Sequence, residues 1–173
     1  MQHFAAAQAR CFLFTQFPIE KRFYICYHKH MRVVIDTSVL FQSLYSSKGA
    51  SHAILNLIRE GALEMLLSIP VFEEYCDVLQ RENSLKQFDL TKQDVWRVLD
   101  FIALVGIKKD IHFLLRPNLQ DENDNMFIDL AFAGNAEYII TKNIKDFTQN
   151  TELKLENIQI LTPAEFMREW RAK

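Results

Sequence analysis

Cysteine is scarce and unpatterned in this chain: Cys11, Cys26 and Cys76 show no zinc-type spacing, and an odd number leaves at least one unpaired. That usage fits a reducing cytoplasm better than a disulfide-stapled secreted fold. No apolar run approaches the roughly 20 residues that a membrane-spanning helix requires, so no membrane association is expected. There is no internal repeat, no low-complexity linker, and no histidine or cysteine cluster of the kind that holds zinc. What remains is 173 residues, long enough for one domain with a sizeable core. Hydrophobic residues at 49% and charged residues at 24% lie close to the globular average, which removes the disordered and fibrous classes.

The first thirty residues differ from the rest. They hold seven aromatics and a net charge of +3, against −5 for residues 31–173. No continuous apolar stretch followed by a small-residue cleavage site marks a secretory signal. Residues 1–30 are therefore expected to be an N-terminal extension, either a start placed too early or an added arm, ahead of a domain spanning 31–173. A basic, aromatic arm of this kind has a functional alternative in contact with nucleic acid or a partner. The irregular spacing of its aromatics does not favour a stacking platform.

From Met31 onward two periodicities alternate. Val33-Val34-Ile35 is a β-branched run ending in Asp36, with Thr37 and Ser38 starting a helix. Ala53, Ile54, Leu57 and Ile58 mark an amphipathic helix ended by Gly61, and 63–69 reads as a strand. Pro70 opens a helix to about Arg81 with Val71, Tyr75, Val78 and Leu79 as its apolar stripe. Thr91 is an N-cap for a helix stopped by Gly106; 107–113 reads as a short strand; Asp124 starts a helix to Gly134. Strands follow at 137–141 and 158–161, and Thr162-Pro163 opens a last helix containing Phe166 and Trp170. Alternation of this kind predicts an α/β fold of three layers, with a central, mostly parallel sheet covered on both faces by right-handed crossovers.

Asp36 is the residue hardest to dismiss as structural, because a carboxylate directly after three β-branched residues is costly to bury without compensation. Open α/β sheets gather their active sites at the C-terminal strand edge, where Asp36, Asp124 and Asp146 all lie at or near one rim. Glu74 reaches that rim only if its helix starts beside the first strand. Each acid also has a plainer reading: Asp124 as a helix cap, Glu73 and Glu74 as a solvated face, Asp121, Glu122 and Asp124 as a polar loop. Several carboxylates meeting with no evident cationic partner repel one another unless a divalent cation sits among them. The pattern points to a metal-dependent hydrolase. Oxygen-only ligands suit Mg²⁺ or Mn²⁺.

These residues resemble the PIN-domain nucleases, in particular the VapC-like toxins of toxin-antitoxin pairs, over about residues 32–168. Val33-Val34-Ile35-Asp36-Thr37-Ser38 looks like the first family motif, an aspartate that binds metal beside a supporting hydroxyl. Phe72-Glu73-Glu74-Tyr75 is similar to the second, with Glu74 as its acid. The run from Asp121 through Asp124 to Phe127 looks like the third, which assigns metal binding to Asp124 with Asp121 as neighbour or substitute. Thr141-Lys142-Asn143-Ile144-Lys145-Asp146-Phe147 resembles the fourth. It departs from the commonest pattern in carrying Asn143 where an aspartate is frequent, which leaves Asp146 as the last carboxylate or weakens a second ion.

The resemblance implies one or two ions held by Asp36, Glu74, Asp124 and Asp146, with Thr37, Ser38, Thr141 and Asn143 orienting water or the carboxylates, and Lys142 or Lys145 on a flanking phosphate. It further implies a cytoplasmic homodimer and a cognate antitoxin. A domain of net −5 is poorly suited to long duplex DNA, so single-stranded or structured RNA is the expected substrate. Two other classes remain open. One is a non-catalytic PIN-fold module that binds RNA or protein, for which Asn143 is the best support. The other is a haloacid-dehalogenase-like phosphatase, whose mechanism needs a second aspartate two residues after the first, where this chain has Ser38.

Overall fold

The β-branched run around Val33 and Val34 becomes the central strand of the molecule. The computed structural model describes residues 31–112, 114–115, 124–148 and 157–172. Asp121 and the 1–30 extension therefore lie outside the described residues. In chain order the elements are β1 (Met31–Ile35), α1 (Thr37–Tyr45), α2 (Ala50–Arg59), β2 (Leu63–Leu67), α3 (Ile69–Gln80), α4 (Glu82–Phe88), α5 (Lys92–Val105), β3 (Ile107–Lys108), α6 (Asn125–Gly134), β4 (Tyr138–Ile140), α7 (Ile144–Thr148), β5 (Gln159–Leu161) and α8 (Pro163–Ala172).

The five strands form one sheet in the order β3-β2-β1-β4-β5, and every neighbouring pair is parallel. The α/β fold read from the alternation of periodicities is the observed one. Val33, Val34, Leu66, Ile139 and Ile140 have no exposed surface, the signature of strands covered on both faces. The chain runs outward from β1 through β2 to β3, then returns across the sheet through α6 to place β4 on the other side of β1. That reversal puts a topological switch point between β1 and β4, where open α/β sheets form a crevice beyond their carboxyl ends.

Local chemistry explains the element ends. Thr91 accepts from the Asp94 backbone N–H at 3.2 Å while Asp94 accepts from the Thr91 backbone N–H at 3.1 Å, a reciprocal cap that starts α5 as predicted. Gly61 follows α2 with φ +74°, a left-handed turn that glycine adopts without cost. Thr162 and Glu165 form a second reciprocal cap for α8. The third strand is shorter than predicted: it pairs only with β2, at the sheet edge, and gives way after Lys108 to Lys109 and Asp110, whose charges belong in water. Phe113, the predicted end of that strand, is outside the described residues. The sequence periodicity marks neither α4 nor α7. α4 is largely polar, and it forms because Phe88 packs on Phe41 of α1, ring centroids 4.6 Å apart.

Candidate active site

Asp36 caps α1 and closes β1 at once. Its backbone N–H donates to the Ile140 carbonyl of β4 at 2.9 Å, so the chain leaves the sheet at the switch point. The residue is only 8% exposed. Three donors compensate that burial: Ser38 Oγ to Oδ2 at 2.6 Å, Thr141 Oγ1 to Oδ2 at 2.7 Å, and the Ser38 backbone N–H to Oδ1 at 3.3 Å. Two of these come from the start of α1 and one from the end of β4, so the carboxylate is clamped across the crevice. Ser38 occupies the position where a haloacid-dehalogenase-like phosphatase needs its second aspartate, and here it donates to the first.

Thr141 organises the other lip. It is fully buried, and its Oγ1 also accepts the Asn143 backbone N–H at 3.0 Å, which turns the chain into α7. Asn143 then donates its side-chain amide to the Asp146 carboxylate, and both residues are exposed. Lys142 donates its backbone N–H to Ser38 Oγ at 3.4 Å and its Nζ to Gln42 Oε1 at 3.0 Å, tying the β4 lip to α1. Lys145 is exposed on α7. Asp36, Ser38, Thr141, Asn143 and Asp146 thus form one hydrogen-bonded chain along the rim.

Tyr75 fixes where the helix that carries Glu74 lies. The phenol of Tyr75, fully buried, donates to the carbonyl of Ile35, the residue before Asp36. That bond docks α3 beside the end of β1, and Glu74, one residue before Tyr75, is half-buried. Burial pushes the Tyr75 hydroxyl well above its ordinary pKa, and the Asp36 charge pushes it the same way. Asp124 precedes α6 in helical backbone geometry, and its side chain makes no capping bond to the first turn, so it does not serve as the plain helix cap that its position suggested. Thr37 Oγ1 is buried with no hydrogen-bond partner among the described residues. Also among the described residues, no three His, Cys, Asp or Glu side chains stand close enough to hold an ion as they are oriented here.

This arrangement agrees with a family match. Residues 32–145 match the model of the PIN domain, well over half of the chain. This chain belongs to the PIN-domain family. It is also similar to the uncharacterized protein MJ1680 of Methanocaldococcus jannaschii, with 28% identity over 151 residues, covering 81% of this chain and 92% of that protein. PIN domains are generally nucleases, hydrolases that typically use divalent metal ions. No helix of the described residues is long and apolar enough to cross a membrane.

Two residues of this PIN domain shape the site although their sequence context reads as core. One is Tyr75, which sits in the apolar stripe of α3. The other is Asp129, buried on α6 with 3% exposure, whose Oδ1 accepts the Leu115 backbone N–H at 2.9 Å. It fixes Leu115 against α6. Its signal in the sequence is a lone acid inside the apolar run of α6, flanked by Ile128 and Leu130.

Proposed function

We propose that this PIN domain is a metal-dependent endoribonuclease that hydrolyses phosphodiester bonds in single-stranded or structured RNA, and that it serves as the VapC-like toxin of a toxin-antitoxin pair. The observation that carries the reading is the Asp36 carboxylate, buried at the switch point and held from both lips by Ser38 and Thr141. A carboxylate so fixed is preorganised for a ligand, because hydroxyl rotors can turn from it without moving the backbone.

The donor set fits a hard divalent cation in kind. It is all oxygen, from the carboxylates of Asp36, Glu74, Asp124 and Asp146, with Thr37 Oγ1 as a buried hydroxyl beside Asp36 in sequence and without a partner among the described residues. Those four acids would hold Mg²⁺ or Mn²⁺, with Asp121 as an additional or substitute ligand. Such an ion, when bound, acidifies a water and neutralises phosphoryl charge. The protein's own contribution is positional. Ser38 and Thr141 orient Asp36, Tyr75 sets the height of α3 and hence of Glu74, and Asn143 orients Asp146. Lys142 and Lys145 supply cations for flanking phosphates in a domain of net charge −5. As a VapC-like toxin the protein would act in the cytoplasm as a homodimer and be neutralised by a cognate antitoxin.

Asn143 favours a second reading, a PIN-fold module that binds RNA or protein without cutting, since an amide replaces a charge at the rim. One experiment separates the two. Purified protein and its Asp36→Asn variant are incubated with labelled, partly single-stranded RNA in Mn²⁺, Mg²⁺ or EDTA. Cleavage that requires the ion and disappears in the variant is expected; binding without cleavage in every condition selects the non-catalytic module.

A further inference from the structure

Beside the Asp36 crevice, α1 exposes a row of which the catalytic reading uses only Ser38. Ser38, Gln42 and Tyr45 are spaced by four and three residues, which places them on one face of the helix. The remaining positions of α1 are occupied elsewhere: Thr37, Val39, Leu40 and Ser43 are buried, Leu44 packs against the core, and Phe41 packs on Phe88. The row starts at the carboxylate, where Ser38 Oγ donates to Asp36. It continues to Gln42, which accepts from Lys142 Nζ at 3.0 Å, and ends at Tyr45, which is 51% exposed. No residue from Thr37 to Tyr45 carries a charge, although the domain is acidic overall, and exposed Lys48 follows just beyond the helix. An acid-free strip with a cation on either side is a favourable path for a polyanion leaving an acidic centre.

We infer that this face of α1 is the track for the single strand on one side of the scissile phosphate, with Lys142 on the adjoining phosphate and Tyr45 as a platform for a base. Gln42 holds the Lys142 ammonium over the track, and the two further N–H donors of that ammonium remain for phosphate oxygens. Seven residues of helix separate Ser38 from Tyr45, about 10 Å along the axis, which places the ring a nucleotide or two from the site of cleavage. An exposed tyrosine presents a flat, rigid face on which any base stacks, so this subsite grips RNA without reading its sequence. The inference rests on the nuclease reading and assigns its substrate a direction.

The test uses binding, not turnover. In the Asp36→Asn background, affinity for a short labelled single-stranded RNA is measured with Tyr45 intact, as Tyr45→Ala, and as Tyr45→Trp, on intact RNA and on a series with one abasic nucleotide moved along the strand. Tyr45→Ala is expected to weaken binding on the order of 10-fold, Tyr45→Trp to retain it. One abasic position should erase the difference between Tyr45 and Tyr45→Ala. Lys142→Gln should reduce the dependence of binding on salt by about 0.7 of a log unit per log unit, the increment for one phosphate contact on a single strand. Equal affinity of the Tyr45 and Tyr45→Ala proteins, while the wild type cleaves RNA, overturns the track and leaves the nuclease standing. A Tyr45→Ala protein that binds RNA normally but loses self-association assigns the face to protein contact and overturns the proposal. Absence of both RNA binding and cleavage overturns the nuclease reading along with it.

Discussion

Thr141 Oγ1 donates to Asp36 Oδ2 at 2.7 Å, joining residues 105 positions apart in sequence. The bond exists because β4 returns to pair with β1 and ends level with it, Ile35 opposite Ile140. It makes the end of the fourth strand a structural part of the first acid's environment. It also gives the sheet order a chemical consequence, since the pairing of β4 with β1 is what brings the Thr141 hydroxyl to the carboxylate.

Replacing that hydroxyl separates orientation from charge. Thr141→Val keeps the β-branched shape and removes both the donor to Asp36 and the acceptor of the Asn143 N–H. A loss of about 1–3 kcal/mol in unfolding free energy is expected from the buried groups left unpaired. RNA cleavage should fall by at least an order of magnitude, and Thr141→Ser should recover most of it. Urea unfolding and a single-turnover cleavage assay check the two parts; a Thr141→Val protein with wild-type cleavage would show that Asp36 needs no support from β4.

Tyr75 carries a pH signature. Its buried phenol resists ionisation, so the folded chain keeps a proton that the unfolded chain releases once the pH passes its ordinary value of 10.0. The folded-state pKa is raised, so this contribution to stability is fully present below that pH and is lost as the pH rises beyond it. Tyr75→Phe should cost about 1–3 kcal/mol at neutral pH, from the Ile35 carbonyl left without its donor, and should flatten the decline at alkaline pH. Thermal unfolding from pH 7 to pH 11 measures both. Parallel curves for the two proteins would place the alkaline loss on other groups.

Some of this was legible in the residues and some was not. The β-branched run before Asp36 and the Thr91 and Thr162 caps specify local structure by short-range sterics and hydrogen bonding, so periodicity and cap chemistry located them. α4 escaped because its sequence, Glu82 to Phe88, has almost no apolar stripe, and its helix depends on a tertiary contact between Phe88 and Phe41. The rim positions of Asp36, Thr141 and Asp146 followed from strand-helix alternation. The partner of the Tyr75 hydroxyl did not, because an apolar stripe specifies which face a ring buries and nothing about where its oxygen finds an acceptor.

Asn143 is where this chain's rim differs from the commoner aspartate, and its effect has a predictable sign. Asn143→Asp replaces a donor to Asp146 with a second negative charge three residues away. Without divalent ions the variant should be slightly less stable, because the amide donor is lost and two like charges face each other. With Mn²⁺ the order should reverse, because an added carboxylate strengthens an oxygen site for a hard cation. Melting temperatures of both proteins across a Mn²⁺ titration read this directly. An identical Mn²⁺ response would remove position 143 from the ion's surroundings.

Acid pH should loosen the last helix. Glu165 accepts from Thr162 through its hydroxyl at 2.7 Å and its backbone N–H at 2.9 Å, and these two bonds hold its carboxyl below the ordinary glutamate value of 4.5. A depressed folded-state pKa contributes stability that is present above the ordinary value and is lost as the pH falls through the folded one. The consequence reaches the sheet, because the next residue, Phe166, packs edge-on against Tyr138 of β4 with ring centroids 5.3 Å apart. Hydrogen exchange of α8 amides should therefore accelerate as the pH is lowered below 4.5, after correction for the intrinsic pH dependence of exchange. Glu165→Gln should show weaker protection of α8 already at neutral pH and a smaller further loss on acidification. If α8 in the variant keeps wild-type protection at neutral pH, the reciprocal cap does not hold the helix, and its packing through Phe166 and Met167 suffices alone.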